Sequence, residues 1–176
     1  MQRPQRPFIK KSGDGWVECD CGQRHWGFFG AAGLFLVTLD DNRRPTHVVL
    51  QHRALWSHHG GTWGIPGGAI MEHETPHQGA LREAREEAGI DPDRVTIVGT
   101  HIFEHPQWSY TTAIAVARTP FLPVQATDME SLDVQWFALD DLTSVTPSVE
   151  LLPSFARSLP VVLTHLDDAL NHTPGS

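Results

Sequence analysis

The chain has 176 residues, enough for one domain with a real core, and its 40% hydrophobic and 19% charged residues are those of an ordinary globular protein. A formal net charge of −8 with a pI near 5.7 argues against a protein that grips a nucleic-acid backbone. No apolar run approaches the ~20 residues of a membrane span, the opening MQRPQRPFIKKSGDG lacks an apolar leader region, and two cysteines make no disulfide framework, so a cytoplasmic protein is expected.

Residues 1–15 are polar and rich in Pro, Arg and Lys, which predicts a mobile arm ahead of a single domain over 16–176. The segment CDCGQRHWG (19–27) gathers Cys19, Cys21 and His25. Zinc would need a fourth ligand that the segment lacks, and C-x-C is tighter than the usual C-x₂₋₄-C, so the expectation is a β-turn leading into the first strand, with a zinc site as the alternative. Residues 28–39, FFGAAGLFLVTL, are almost continuously apolar and read as a buried central strand. The turn Asp40-Asp41-Asn42 joins it to a second strand over 46–53 as a hairpin. A loop rich in glycine and histidine, SHHGGTWGIPGG, leads to a helix that Pro76 opens and Gly89, followed by Asp91-Pro92, closes. Strands follow over 95–104 and 109–117, joined by HPQW, and a turn-rich stretch through Pro120, Pro123 and Asp128 precedes a strand over 133–139. Residues 149–171 read as a helical tail, broken or kinked at Pro153 and Pro160. Strands on either side of a helix, then a terminal helix, suggest an α/β protein: a three-layer α/β/α sandwich around a mixed β-sheet.

The chemistry concentrates on the short helix. Glu83, Glu86 and Glu87 stand at i, i+3 and i+4, so their carboxylates leave one face of it. Like charges at that spacing oppose helix formation by a few tenths of a kcal/mol per pair. A hard cation reverses the sign of that interaction, since Mg²⁺ takes oxygen ligands and binds through a few carboxylates plus substrate phosphates. On the opposite side Ala80, Ala84 and Ala88 form a smooth seam for packing on a sheet. Arg82 lies four residues before Glu86 and can pair with it, and Gly67-Gly68 allows the close backbone approach that a phosphate-binding loop needs.

Gly68, five residues, Glu74, seven residues, then Arg82-Glu83-Ala84-Arg85-Glu86-Glu87-Ala88-Gly89-Ile90 resembles the Nudix box with every fixed position filled. Ala84 occupies a position where a larger aliphatic residue is also common. The box spans Gly68–Ile90, and flanking strands extend the similarity to roughly residues 28–142. The resemblance implies the same sandwich and a hydrolase of nucleoside diphosphates linked to a further group, working with Mg²⁺ or Mn²⁺. It makes Glu86 and Glu87 the strongest metal ligands, with Glu83 close behind and the carbonyl of Gly67 or Gly68 as an additional one. By the same resemblance Arg82 orients the carboxylates, Glu74 ties the loop to the helix, and Gly68 and Gly89 are structural. A further acid from outside the box is expected as ligand or base, with Glu130 first and Glu104 and Asp133 behind it. Arg53, at the end of the second strand, is placed to reach a phosphate.

For the nucleotide itself the aromatic candidates are Trp56, Trp63, Trp108 and Tyr110, since stacking on an aromatic is worth about 1–3 kcal/mol per base. Trp63 has a core position as its alternative, and Trp108 in the HPQW turn is the more exposed. His58, His59, His101 and His105 flank the same edge, as proton carriers or plain loop residues, and Asp140 or Asp141 could accept hydrogen bonds from a base. The expected partner is a small nucleotide, with (oxidised) nucleoside triphosphates the leading class; no nucleic-acid polymer or membrane is expected, and a homodimer is compatible. Two other readings are a noncatalytic nucleotide sensor of the same family and a prenyl-diphosphate isomerase. The filled box counts against the first, and the position of Cys19 and Cys21 ahead of the first core strand against the second.

Overall fold

The computed structural model describes residues 10–172. A hairpin of β1 (Trp16–Glu18) and β2 (Arg24–Trp26) precedes β3 (Ala31–Leu39), β4 (Pro45–Arg53), β5 (Trp63–Gly64) and β6 (Gly67–Ala69). Helix α1 (Pro76–Ala88) and a single tight turn at Pro92–Arg94 lead to β7 (Val95–His105), β8 (Trp108–Ala117) and β9 (Ser131–Ala138), and α2 (Leu139–Leu142) and α3 (Pro153–Asn171) complete the chain. The seven-stranded sheet runs β5-β4-β3-β8-β7, with β6 also on β3 and β9 also on β4. Because β3 and β8 are parallel and the other pairs antiparallel, the sheet is mixed.

The unbroken apolar run of β3 is explained by burial on both faces. Ala32, Leu34 and Leu36 meet Ala80, Ala84 and Ala88 of α1, while Phe35 and Val37 meet Phe155, Leu159 and Val162 of α3. The alanine seam carries no bulk, so α1 rides close to the sheet, and the adjoining stripe of Glu83 and Glu87 is held against β6. Thr75 and Gln78 close a capping box at the start of α1, and Gly89, at φ 65°, ends it with its N–H on the carbonyls of Ala84 and Arg85. The result is the α/β/α sandwich around a mixed sheet. Among the described residues no helix is long and apolar enough to cross a membrane.

Several boundaries differ from expectation for identifiable reasons. The first core strand begins at Ala31 rather than 28, because Gly30 bends the chain at φ 86° and leaves Phe28 and Phe29 half exposed. Strands β1, β2, β5 and β6, of three residues or fewer, are too short to show a period in sequence. Pro153 starts α3 instead of breaking it, its fixed φ suiting the first helical position, and the helix continues through Pro160. Of the expected arm, Gly13 and Asp14 are buried, and residues 1–9 lie outside the described residues. Phe28 donates its N–H to the Gly13 carbonyl at 2.9 Å, Gly27 to that of Gly15 at 2.7 Å, and Glu72 to Ser12 Oγ at 3.0 Å. Gly13 lies so near the Ile70 carbonyl that a Cβ there would stand 1.9 Å from the oxygen.

Candidate active site

The helix and the segment before it build one acidic centre. Glu83 and Glu87 lie one turn apart on α1 and are buried, at 6% and 1% exposure. Glu130, just ahead of β9, swings over them, so that one carboxylate oxygen from each of Glu83, Glu87 and Glu130 lies within 4.8 Å of the others. The loop bearing Glu130 is docked on the open end of α1: Gln125 and Thr127 give their N–H groups to the carbonyls of Ala88 and Glu87, at 3.0 and 3.2 Å. From the other side Ala54 of the chain after β4 donates to the Glu130 carbonyl at 3.0 Å.

Backbone without side chains makes room for this cluster. A Cβ on Gly68 would come within 2.8 Å of the Glu83 carboxyl, and one on Gly67 within 2.5 Å of the Ala32 carbonyl. The Gly67 N–H donates to Glu87 Oε2 at 3.0 Å, so this residue meets the centre through its amide. Arg82 braces the cluster from below. Its Nε and one terminal nitrogen bind both oxygens of Glu74 at 2.8 and 3.1 Å, a fork-to-fork pair. The remaining donors reach Glu83 Oε1 at 2.8 Å, Glu86 Oε2 at 3.3 Å and the Ala69 carbonyl at 3.0 Å. Glu74 also accepts from the Met71 N–H at 3.0 Å; burial works against its charge, but Arg82 more than compensates and holds the carboxyl below its ordinary value.

Glu86 stands apart from the cluster. It pairs with Lys11 and with Arg82 rather than facing Glu87. Burial opposes the charge of Lys11, but Glu86 and Glu83 raise its pKa above the ordinary value. Neither Lys11 nor Asp128 was expected here. The sequence spacing Asp128-x-Glu130 carried a signal for the second: Asp128 Oδ1 accepts the Glu130 N–H at 3.0 Å in a local turn. Gln51 of β4 was missed as well; it is buried, with Nε2 on Ser131 Oγ at 2.8 Å and Oε1 without a partner among the described residues. Ser131 in turn donates to the Glu87 carbonyl at 3.3 Å.

The electrostatics follow from crowding acids in a poorly solvated place. Burial first, then Glu83, Glu130 and Asp128, push the Glu87 carboxyl well above its ordinary value. Burial also raises Glu83, with Arg82 opposing it, and burial with Glu130 and Glu86 moves Asp128 up to about 6. Such a set keeps protons or takes a cation. All-oxygen donors select a hard divalent ion over a soft one, so the residues fit the metal that the box implies.

Other candidates are distributed differently. Arg53 is tied to the His58 carbonyl at 3.0 and 3.2 Å, and its charge is felt by Tyr110. The Tyr110 hydroxyl is wedged between Gly33 and Gly67, where burial and Glu87 raise its pKa. Trp63 takes the core position that was its alternative, on the α3 side, stacked on His52 at 4.5 Å and edge-on to Phe137 at 4.8 Å. Trp108 stacks on His25 at 4.4 Å and donates its indole N–H to the Trp26 carbonyl at 3.2 Å. Its edge lines a cleft of about 300 Å³ together with Phe28, Phe29, Glu104, His105 and Gln107. Glu104 therefore lies on the cleft and outside the acidic cluster, and Asp133 is turned toward its neighbours Val134 and Gln135. Trp56 is exposed on its loop. His58 and His59 pack on each other, and His101 faces His165 of α3. Asp141 accepts hydrogen bonds from Ser148, and Asp140 sits beside it in α2.

Comparison with known proteins agrees with the geometry. A family model described as NUDIX domain matches residues 29–158. A nucleoside triphosphate pyrophosphatase/Nudix hydrolase fusion protein of Bifidobacterium longum is 43% identical over 162 residues, which cover 91% of this chain but 33% of that protein. A putative 8-oxo-dGTP diphosphatase 3 of Mycobacterium tuberculosis is 42% identical over 156 residues, covering 85% of this chain and 69% of the relative. The chain thus spans about a third of the first relative's length. Among solved structures, the Nudix hydrolase RenU of M. smegmatis superposes with a TM-score of 0.75 at 38% identity, over 93% of this chain and 99% of that one.

Proposed function

The chain belongs to the Nudix family, and on that premise we propose that it hydrolyses the diphosphate linkage of nucleoside diphosphate derivatives with Mg²⁺ or Mn²⁺ held by Glu83, Glu87 and Glu130. The observation that carries this reading is the meeting of three carboxylate oxygens within 4.8 Å, two of them from buried residues. When bound, the cation supplies charge neutralisation at the phosphates and acidifies a water. The protein's own contribution is preorganisation. Arg82 fixes Glu83, the Gly67 amide fixes Glu87, and the docked loop fixes Glu130, so little rearrangement remains to be done during reaction. Glu130 is the exposed member of the three and has the access to solvent that a proton acceptor for water requires. Arg53, beside Tyr110 at the rim, is the candidate for a terminal phosphate.

The substrate class we infer is the purine nucleoside triphosphates, oxidised ones included. Two observations support it: the relatives with that name, and the cleft of about 300 Å³ lined by Phe28, Phe29, Trp108 and Glu104, the last an acceptor for base N–H groups. The test is a screen of nucleoside triphosphates, oxidised purine triphosphates, nucleotide sugars and dinucleotide polyphosphates with Mg²⁺. Nucleotide hydrolysis is expected, with Phe29→Ala raising KM about tenfold, equivalent to about 1.4 kcal/mol. Activity on nucleotide-free diphosphates alone would overturn the substrate class.

A further inference from the structure

A second cluster lies away from the glutamates. Cys19, Cys21 and His25 of the β1–β2 hairpin meet His105 at the end of β7, and a ligand atom from each lies within 4.8 Å of the other three. The fourth donor that the sequence segment lacks arrives from 80 residues downstream. We propose that Cys19, Cys21, His25 and His105 form a zinc(II) site that staples the amino-terminal hairpin to the β7–β8 turn.

The spacing suits the ion. With Zn–S about 2.3 Å and Zn–N about 2.0–2.1 Å, a tetrahedral centre sets neighbouring sulfur and nitrogen atoms roughly 3.6 Å apart. Cys21 Sγ and His25 Nε2 stand 3.2 Å apart, and the His25 and His105 ring centroids 4.3 Å. Two thiols and two imidazoles are a donor set for zinc and a poor one for Mg²⁺. The ligands are also held by their surroundings. Gly22, at φ 90°, turns the chain immediately after Cys21, and Cys19 closes the same turn by donating its N–H to Gln23 and accepting that of Gly22, each at 3.1 Å. Asp20, between the cysteines, exchanges two hydrogen bonds with the Gln107 side chain, at 2.8 and 2.7 Å. His25 is fixed in orientation by the Trp108 ring stacked on it.

Binding releases one proton from each thiol and leaves a neutral centre. The hairpin needs such a tie, since its two strands have three residues each and an isolated two-stranded ribbon is marginal in water.

The full chain, purified without chelators and under reducing conditions, should contain one equivalent of zinc by mass spectrometry. Cobalt(II) put in its place should show tetrahedral d–d bands with thiolate-to-metal charge transfer. His105→Asn and Cys21→Ser should each lose the zinc and the charge-transfer signature, whereas Glu87→Gln should keep both. If those variants fail to fold, the cobalt spectrum of the unaltered protein decides. An oxygen-only, six-coordinate spectrum would refute the site, as would a chain that takes up no zinc, or zinc retained by folded His105→Asn and Cys21→Ser.

Discussion

Replacing Asp128 by Asn should make the metal-free protein more stable at neutral pH. The carboxyl is half-buried beside Glu130 and Glu86, and its pKa is raised from 3.8 to about 6. An acid whose pKa is raised on folding binds its proton more tightly in the native state. Its cost to stability is absent below pH about 3.8, grows through the window up to about 6, and is constant above it. A shift of roughly two units corresponds to about 3 kcal/mol in full, which solvent screening of a partly exposed group reduces to about 1–2 kcal/mol. Asn keeps an oxygen for the Glu130 N–H while removing the charge. In a chain of this length 1 kcal/mol moves Tm by about 2–4 °C, so a rise of about 2–8 °C is expected. The assay is thermal and urea denaturation in EDTA between pH 4 and 8. The gap between variant and parent should close as pH falls from 6 to 4. A variant of equal or lower stability at pH 7.5, or a gap that ignores pH, would refute the reasoning.

Two further outcomes follow from the packing. Gly68→Ala places a methyl within 2.8 Å of the Glu83 carboxyl; overpacking should cost about 1–3 kcal/mol, and kcat should fall about tenfold or more, read from steady-state rates beside a denaturation curve. Trp63→Ala empties a core position against Phe137 and should cost about 3–5 kcal/mol in urea denaturation, with KM of the folded fraction unchanged; a raised KM there would return Trp63 to the substrate site.

What the sequence made legible was mostly local. The spacing of Glu83 and Glu87, the alanine seam, Gly68 beside Glu83 and the cap at Gly89 all lie within one helix and the turn before it, where period and punctuation translate directly into geometry. The long central strand β3 was equally plain, because burial on both faces leaves a continuous apolar run. The remainder depends on contacts between distant segments. Lys11 reaches Glu86 because Ser12 and Gly13 pack on Ile70, Met71 and Glu72 just after β6, which a polar, basic stretch does not announce. His105 joins the cysteines only through the packing of one hairpin turn on another. The contacts of the glutamates follow the same rule: Glu86 pairs with Lys11 and Arg82, and the loop before β9 brings Glu130 to Glu83 and Glu87. Trp63 illustrates the converse: a tryptophan in a glycine-rich loop looks available, yet β5 pairs it with β4 and buries it.

The most direct test is a titration with Mn²⁺, followed by electron paramagnetic resonance, on the parent protein and on Glu83→Gln, Glu87→Gln, Glu130→Gln and Asp133→Asn, with turnover measured on the same samples. Metal ligation by the cluster predicts that Glu87→Gln weakens binding by about 100-fold or more, that Glu83→Gln and Glu130→Gln weaken it as well, that turnover falls with binding, and that Asp133→Asn behaves as the parent. Mn²⁺ bound as tightly by Glu87→Gln as by the parent, with turnover intact, would contradict it.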